Sequence, residues 1–364
     1  MRIAVCISTF ARPEGLERAL ASVVLQELGD SPARIAEVVV VNNDPTDARP
    51  RAIVERIAPR APMPVVLLHE DIRGTAPPRN RALAHVRGRC ELIAFLDDDE
   101  EAPRRWLASL VDAKVRFSAD IATGPVVPVL DADAPDWARR LHARPTRRTG
   151  TARPWAFTGN VLFDAALLER IDPWFDARFR QGEDRHFFAR LAATGARIVW
   201  CAEDAPHEFV PRERTAPAWF ARRMHAIGRA VTAIERDTPA RRFARLRNAA
   251  KGVVWMGVGA AVWCAGLATG LASGQAMRVR GRAEWSYGTG LVAGALGAAA
   301  DSGVREPGSA FGVSSTPSSR PSPSPTSTSS PTSTSSPSPT PSPSSGSGDP
   351  DAGGSGAGGS RPRS

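Results

Sequence analysis

The chain has 364 residues, 42% of them hydrophobic, enough for one large domain or two modest ones with a core. Its formal charge of +9 is almost wholly arginine, only Lys114 and Lys251 being lysine. The arginines are interspersed with Asp and Glu and lack aromatic interleaving, which excludes a polymeric nucleic acid as the natural partner and leaves a compositional bias of GC-rich coding.

The opening MRIAVCISTF enters a strand at once. It lacks the apolar run and small-residue cleavage site of a signal peptide, so the domain is expected to fold in the cytoplasm. Cys6, Cys90, Cys201 and Cys264 are isolated, without metal or redox spacing, and read as thiols of a reducing compartment. Ile3–Ser8, Glu37–Val41, Val65–Leu68, Leu92–Leu96 and Ile121–Val126 are apolar runs of strand length. Helical patterns lie between them, as in Glu14–Gln26 and Pro103–Phe117. This alternation predicts an α/β fold, a Rossmann-type, mostly parallel sheet flanked by helices. Ligands of such sheets bind beyond the carboxyl ends of the strands.

Asp131–Pro154 reads as an irregular excursion, after which the helical run Asp184–Thr194 and the strand Ala196–Cys201 restore order. A basic amphipathic region, Ala216–Lys251, leads into an uncharged stretch from Gly252 to Met277, long enough to cross a bilayer but rich in Gly and Ala. Ser286–Ala300 is a second, shorter uncharged segment. Arg241, Arg242, Arg245 and Arg247 precede the first segment, and Arg278, Arg280 and Arg282 follow it. A single span would put the second cluster outside, against the positive-inside tendency. A helical hairpin, or helices lying in the interface, would keep both clusters at an anionic inner leaflet. A buried soluble helix pair is the alternative. The Ser/Pro/Thr/Gly-rich tail cannot bury enough apolar surface to fold and is expected to be disordered.

The strongest local signal is Phe95-Leu96-Asp97-Asp98-Asp99-Glu100, directly after a strand. An acidic cap for the helix beginning near Pro103 needs one carboxylate, not four. A hard divalent cation, Mg²⁺ or Mn²⁺, takes oxygen ligands and bridges to substrate phosphates, and would relieve the repulsion. The second signal is Gln181-Gly182-Glu183-Asp184, a glycine and paired carboxylates opening a helix. Alone it is a capping signature. With the acidic run upstream, it becomes a candidate general base.

The ordered set of motifs carries a family resemblance. The set is IAVCISTFARPEGLERALASVVLQ, EVVVVNNDPTDAR, RGTAPPRNRAL, IAFLDDDEEAPRRWLASLV, TGNVLF, FRQGEDRHFFARL and HEFVPRERTAPAWFARR. It resembles the family 2 glycosyltransferases of the GT-A type, and within them the succinoglycan-type glucosyltransferases of exopolysaccharide assembly. Any one motif is weak alone. Their order and separation match the family from residue 3 to about 230.

The resemblance implies roles. Asp97 and Asp99, with Asp98 between them, correspond to the family's DxD carboxylates for metal and ribose. Thr9, Phe10 and Arg12 would border the nucleotide, as would Asn42 and Asp44, where Asn42 replaces the usual Asp. Arg79 and Asn80 would line the donor pocket. Asp184 would be the catalytic base and Glu183 its helper. His207 stands where some GT-A enzymes supply a further metal ligand, and a structural histidine fits equally. Arg212, Arg214 and Trp219 match a segment that holds pyrophosphate or acceptor. Trp155 and Trp174 flank the acceptor side, where stacking on sugar or burial in the core are the two readings.

The expected enzyme is therefore an inverting, metal-dependent transferase at the cytoplasmic face of the plasma membrane. It would move a hexose from a nucleotide-diphosphate sugar to a saccharide or polyprenyl-linked saccharide. Its expected parts are a catalytic domain over 1–235, a membrane-associated helical region over 236–304 that meets anionic lipid, and a tail over 305–364. The rivals are a nucleotidyltransferase, disfavoured because the Ser8–Gly15 loop has one glycine, and a silent sugar-nucleotide-binding scaffold.

Overall fold

The computed structural model describes residues 1–143, 147–237, 243–269 and 271–297. The tail, Arg241 and Arg242 lie outside the described residues. In the first half, β1 (Arg2–Thr9), α1 (Pro13–Val24), β2 (Arg34–Asn42), α2 (Arg49–Ile57), β3 (Val65–His69), α3 (Ala76–Val86) and β4 (Leu92–Phe95) alternate. Then come β5 (Glu100–Glu101), α4 (Trp106–Arg116), β6 (Ile121–Thr123), β7 (Val127–Val129), α5 (Asp136–His142), β8 (Ala152–Arg153) and β9 (Val161–Asp164). They are followed by α6 (Glu183–Ala193), β10 (Ile198–Trp200), β11 (His207–Phe209), α7 (Pro217–Asp237), α8 (Ala244–Ala268) and α9 (Leu271–Ala295).

The large sheet has the order β3-β2-β1-β4-β9-β6-β10-β8. β3, β2, β1 and β4 are mutually parallel, and β10 is parallel to β6. β9 runs antiparallel between β4 and β6, pairing Val161 with both Phe95 and Thr123. Alternate residues of β1 serve opposite layers: Ile3, Val5 and Ile7 pack with α1 and α4, while Ala4 and Cys6 pack with α3 and α6. Burial on both faces explains why these strands are continuously apolar. A small second sheet, β5-β11-β7, sits beside the acidic run.

The excursion over 131–154 is not wholly irregular. It holds α5, whose Trp137 and Ala138 are buried in a small third core with Trp219, Phe220 and Val279. That contact is distant in sequence and stabilises a helix too short to form alone.

The uncharged stretch from Gly252 breaks after Ala268, so α8 and α9 form an antiparallel hairpin. Its seam is made of glycines. A Cβ on Gly252 would lie 2.7 Å from the Gly288 carbonyl, one on Gly281 would lie 2.5 Å from Gly259, and one on Gly274 would lie 2.5 Å from Gly266. The three pairs recur every seven residues on both helices, which lets the backbones touch along one stripe. α7 is keyed to α9 in the same way, through Gly228 against Leu291 and Gly290 against His225. Among the described residues, α8 is the one helix long and apolar enough to cross a membrane.

Candidate active site

The loops after β1, β2 and β4 meet at one rim of the sheet, where the acidic run takes four different environments. Asp98 is 5% exposed, and the first loop takes both its oxygens: Arg12 Nη1 donates at 2.9 Å and the Phe10 amide at 3.3 Å. Close approach is possible because α1 carries Gly15 there; a Cβ would come within 2.3 Å of the Asp98 carbonyl. Glu100 is buried against Gly159 and accepts the Asp97 amide at 3.1 Å, fixing the turn. Asp99 receives Arg12 at 3.1 Å and Arg214 at 3.4 Å, and Arg214 also reaches Glu208 at 3.0 Å. The Asp97 side chain is the open one, 40% exposed, and Arg79 Nη2 donates to its Oδ1 at 3.1 Å.

Arg79 is the keystone. Its other amino group, Nη1, donates to Glu183, so one buried guanidinium ties the acidic run to the start of α6. Burial opposes its charge, but Glu183, Asp97 and Asp184 outweigh that and raise its pKa. Gly182 caps α6 with φ +76, a left-handed conformation natural to glycine, and packs against Ala230 and Ile234 of α7. Burial raises the Asp184 carboxyl; Arg79 opposes the shift, and the charges of Asp97 and Arg223 also act on it. Arg79 therefore brings the two acidic motifs together.

Burial likewise lifts Asp98 to about 6, against Arg12, raises Asp99 from its ordinary value and lifts Glu100 well above its own. The carboxylates outnumber the guanidiniums that touch them. Asp97 uses only Oδ1 and Asp99 only Oδ2, leaving one oxygen on each without a partner among the described residues. An oxygen-only donor pair with residual negative charge fits a hard divalent cation.

Burial raises Glu183 to about 7 from its ordinary 4.5, Arg79 opposing and Asp184 adding. Between those values the folded chain holds more protons than the unfolded chain. This group's contribution is thus complete below about 4.5 and is lost as pH rises through about 7. Without divalent cation, the urea midpoint is expected to fall from pH 5 to pH 8, and Glu183→Gln should make that slope shallower. An unchanged slope would show that Glu183 does not titrate there.

The donor side differs from the expectation in detail. Thr9 is buried at the end of β1. Asn42 spends its amide inside its own loop, donating to the Asp47 carbonyl at 3.0 Å and accepting the Asp44 amide at 3.0 Å. Asp44 accepts from Thr46 and lies 4.0 Å from Arg73, whose guanidinium sits 5.1 Å above the Phe10 ring. Arg73 opens the RGTAPPRNRAL motif, yet sequence reasoning did not single it out. Asn80 clamps the backbone of Phe175 with both halves of its amide.

Other residues separate from the cluster. His207 is exposed on β11, and its neighbour Glu208 is the one that shares Arg214 with Asp99. Arg212 pairs with Asp133 on the surface at 3.1 Å. Trp219 is a core residue, stacked on His142 and edge-on to Phe220. Trp174 packs on the main core and donates to the Leu168 carbonyl at 3.0 Å. Trp155 stays half-buried beneath the guanidiniums of Arg185 at 4.7 Å and Arg153 at 4.9 Å, one residue from Asp184 through Arg185. Asp176, His186 and Asp237 form a second cluster with ligand-type atoms within 4.8 Å. There Arg178 already bonds Asp176 and lies 3.6 Å from Asp237, so a guanidinium fills the cationic role.

With this geometry in place, comparison with known proteins defines the class. The Glycosyl transferase family 2 model matches residues 4–172. The chain is 32% identical over 241 residues to the succinoglycan biosynthesis protein ExoM of Rhizobium meliloti (strain 1021), covering 63% of this chain and 73% of that protein. The mannosyltransferase PcManGT from Pyrobaculum calidifontis, solved with GDP-Man and Mn²⁺, has the same fold. It aligns with a TM-score of 0.56 at 22% identity over 81% of this chain and 86% of its own. S. aureus TarS 1–349 with UDP-GlcNAc aligns at 0.47 and 19% identity over 66% of this chain and 68% of its own. The match spans 39% of a longer TarS chain. The chain belongs to the family 2 glycosyltransferases, and its mixed α/β sheet is of the GT-A type.

Proposed function

We propose that the chain is an inverting glycosyltransferase of polysaccharide synthesis, moving a hexose from a nucleotide-diphosphate sugar to a saccharide or lipid-linked saccharide. The observation that carries this is Arg79, bonded to Asp97 on one side and Glu183 on the other, with Asp184 alongside. The relative's role in succinoglycan synthesis and the GDP-Man complex of the mannosyltransferase that shares this chain's fold support the reading.

Asp97 and Asp99 would hold Mg²⁺ or Mn²⁺ through their unpaired oxygens. Such an ion, when bound, neutralises charge on a departing diphosphate, worth several kcal/mol. Arg12, Phe10 and Arg73 border the nucleotide side. Asp98 and Glu100 shape the turn, and Asn42 and Asn80 hold the loops around it. Asp184 takes the proton of the acceptor hydroxyl as its oxygen bonds to the sugar C1 and the C1–O bond to diphosphate breaks, the electron pair leaving with the diphosphate. One base opposite the leaving group gives single displacement and inversion. Glu183 orients Asp184 through Arg79, and Trp155 with Arg185 forms the acceptor-side platform. The catalytic part is assigned to 1–235. The helices of 236–304 are assigned to a membrane surface at the cytoplasmic face, where a lipid-linked acceptor is displayed.

The full chain, given UDP-, GDP- and dTDP-hexoses with a membrane extract as acceptor, is expected to release nucleoside diphosphate from one of them. EDTA should slow that release roughly tenfold or more. Turnover indifferent to EDTA would remove Asp97 and Asp99 from the role given them.

A further inference from the structure

From Gly252 onward helix α8 is apolar nearly all round, yet over that length the fold buries only its glycine stripe. Val253 and Val254 are both 64% exposed, Leu267 is 58% and Val258 is 41% exposed, and none of them lies in the Gly252–Gly259–Gly266 seam. Trp255 and Trp263 border this strip, and Trp285 of α9 lies beside it, each about two-fifths exposed. A soluble helix turns such a face inward, so this strip needs an occupant.

Two features decide how a bilayer would meet it. From Gly252 to Ala268 the helix has no charge, a length of about 25 Å, short of the roughly 30 Å hydrocarbon core. More decisive is α9, which lies alongside in fixed register: Gly281 touches Gly259, at the middle of that apolar length. Arg280 and Arg282, both exposed, flank Gly281. If the hairpin crossed a membrane, the Arg280–Glu284 ion pair, at 2.8 Å, and the Arg282 guanidinium would sit near the bilayer centre, where three charges are costly. If α8 lies flat, they sit at headgroup depth or in water, beside Arg245, Arg247 and Lys251 at the start of α8.

We propose that α8 is an in-plane membrane helix: its Val253–Val254–Val258–Leu267 strip enters the interface of an anionic phospholipid bilayer, and the chain does not span it. The proposal rests on the reading above that the enzyme works at a membrane, and supplies its geometry. The basic residues choose a lipid surface over a second copy of the chain, because a symmetric dimer through this strip would bring like charges together. The tryptophans at the strip's edges suit the boundary between headgroup and acyl chain. The strip is tied to α9 as well, Trp255 packing edge-on against Tyr287 at 5.7 Å.

The test uses the full chain and vesicles of phosphatidylcholine alone or with about 30% phosphatidylglycerol. The chain should float with the anionic vesicles, and Val254→Asp/Val258→Asp should lower the floated fraction roughly tenfold. Cys264, the one exposed cysteine among the described residues, should react with a maleimide in buffer and be protected by vesicles. In a Cys264→Ser background, Arg245→Cys and Ala268→Cys should both be labelled by an impermeant reagent outside sealed vesicles. Labelling of only one end would mean that α8 spans and would overturn the proposal. So would a lipid-free dimer with Cys264 already protected, since a second copy would then own the strip. Nucleotide-sugar binding, read by thermal shift in detergent-free buffer, should be equal in wild type and the double Asp variant. Its loss in wild type would count against the transferase reading, and failed flotation with binding intact against the in-plane helix alone.

Discussion

Asp184→Asn is expected to lower turnover by about 10²–10⁴-fold while leaving the affinity for nucleotide sugar within a few-fold. The amide has the shape of the carboxylate but cannot take the acceptor proton. Asp184 is well suited to accept it, because burial raises its pKa while Arg79 and Arg223 keep that rise in check. Single-turnover rates at saturating donor separate the chemical step from binding. Equal rates in wild type and variant would leave only a sugar-nucleotide-binding scaffold.

Arg79→Met should have the largest effect on stability and abolish measurable turnover as well. At pH 8, where most of Glu183 is ionised, it leaves this carboxylate buried without its cation, a change that costs about 3–5 kcal/mol in comparable pairs. The pair is well shielded, with side-chain exposures of 11% for Arg79 and 6% for Glu183, so solvent screening subtracts little. The partner link to Asp97 is discounted, since that carboxylate is 40% exposed. The melting temperature is expected to fall by about 10 °C. Glu183→Gln in the same chain should recover much of the stability but not the activity, because it removes the stranded charge without restoring the bridge. Additive losses in the double variant would mean that the two side chains are not coupled.

Much of the fold is legible in the sequence alone. The apolar runs of β1, β2 and β4 are continuous because both faces are covered, and the acidic motifs stand at element ends where chemistry is usual. What escaped depended on long-range partners. β9 is a four-residue run whose direction is set by β4 and β6, and its own residues do not encode it. Asn80 has the right chemistry to bind a ligand, yet its amide clamps the backbone of Phe175, far along the chain. His207 and Glu208 show how a one-residue alternation in a strand decides which side chain faces the site. The α8 segment looked weakly hydrophobic because its glycines were averaged with its valines and tryptophans. Once the glycines are placed in the seam, the outward strip is strongly apolar.

The reversed strand β9 has a consequence for how such an enzyme can change its specificity. Because it runs against its neighbours, its first residues, rather than its last, arrive at the rim where β4 ends. The segment leading into it, from Trp155 to Asn160, therefore approaches the cleft from the side opposite the β1 and β2 loops. On the roles proposed above, recognition of the incoming hydroxyl and of the nucleotide would be written in separate stretches of chain that meet at Asp97, Arg79 and Asp184. On that assignment, changes in the first stretch would alter the acceptor taken without disturbing the nucleotide side.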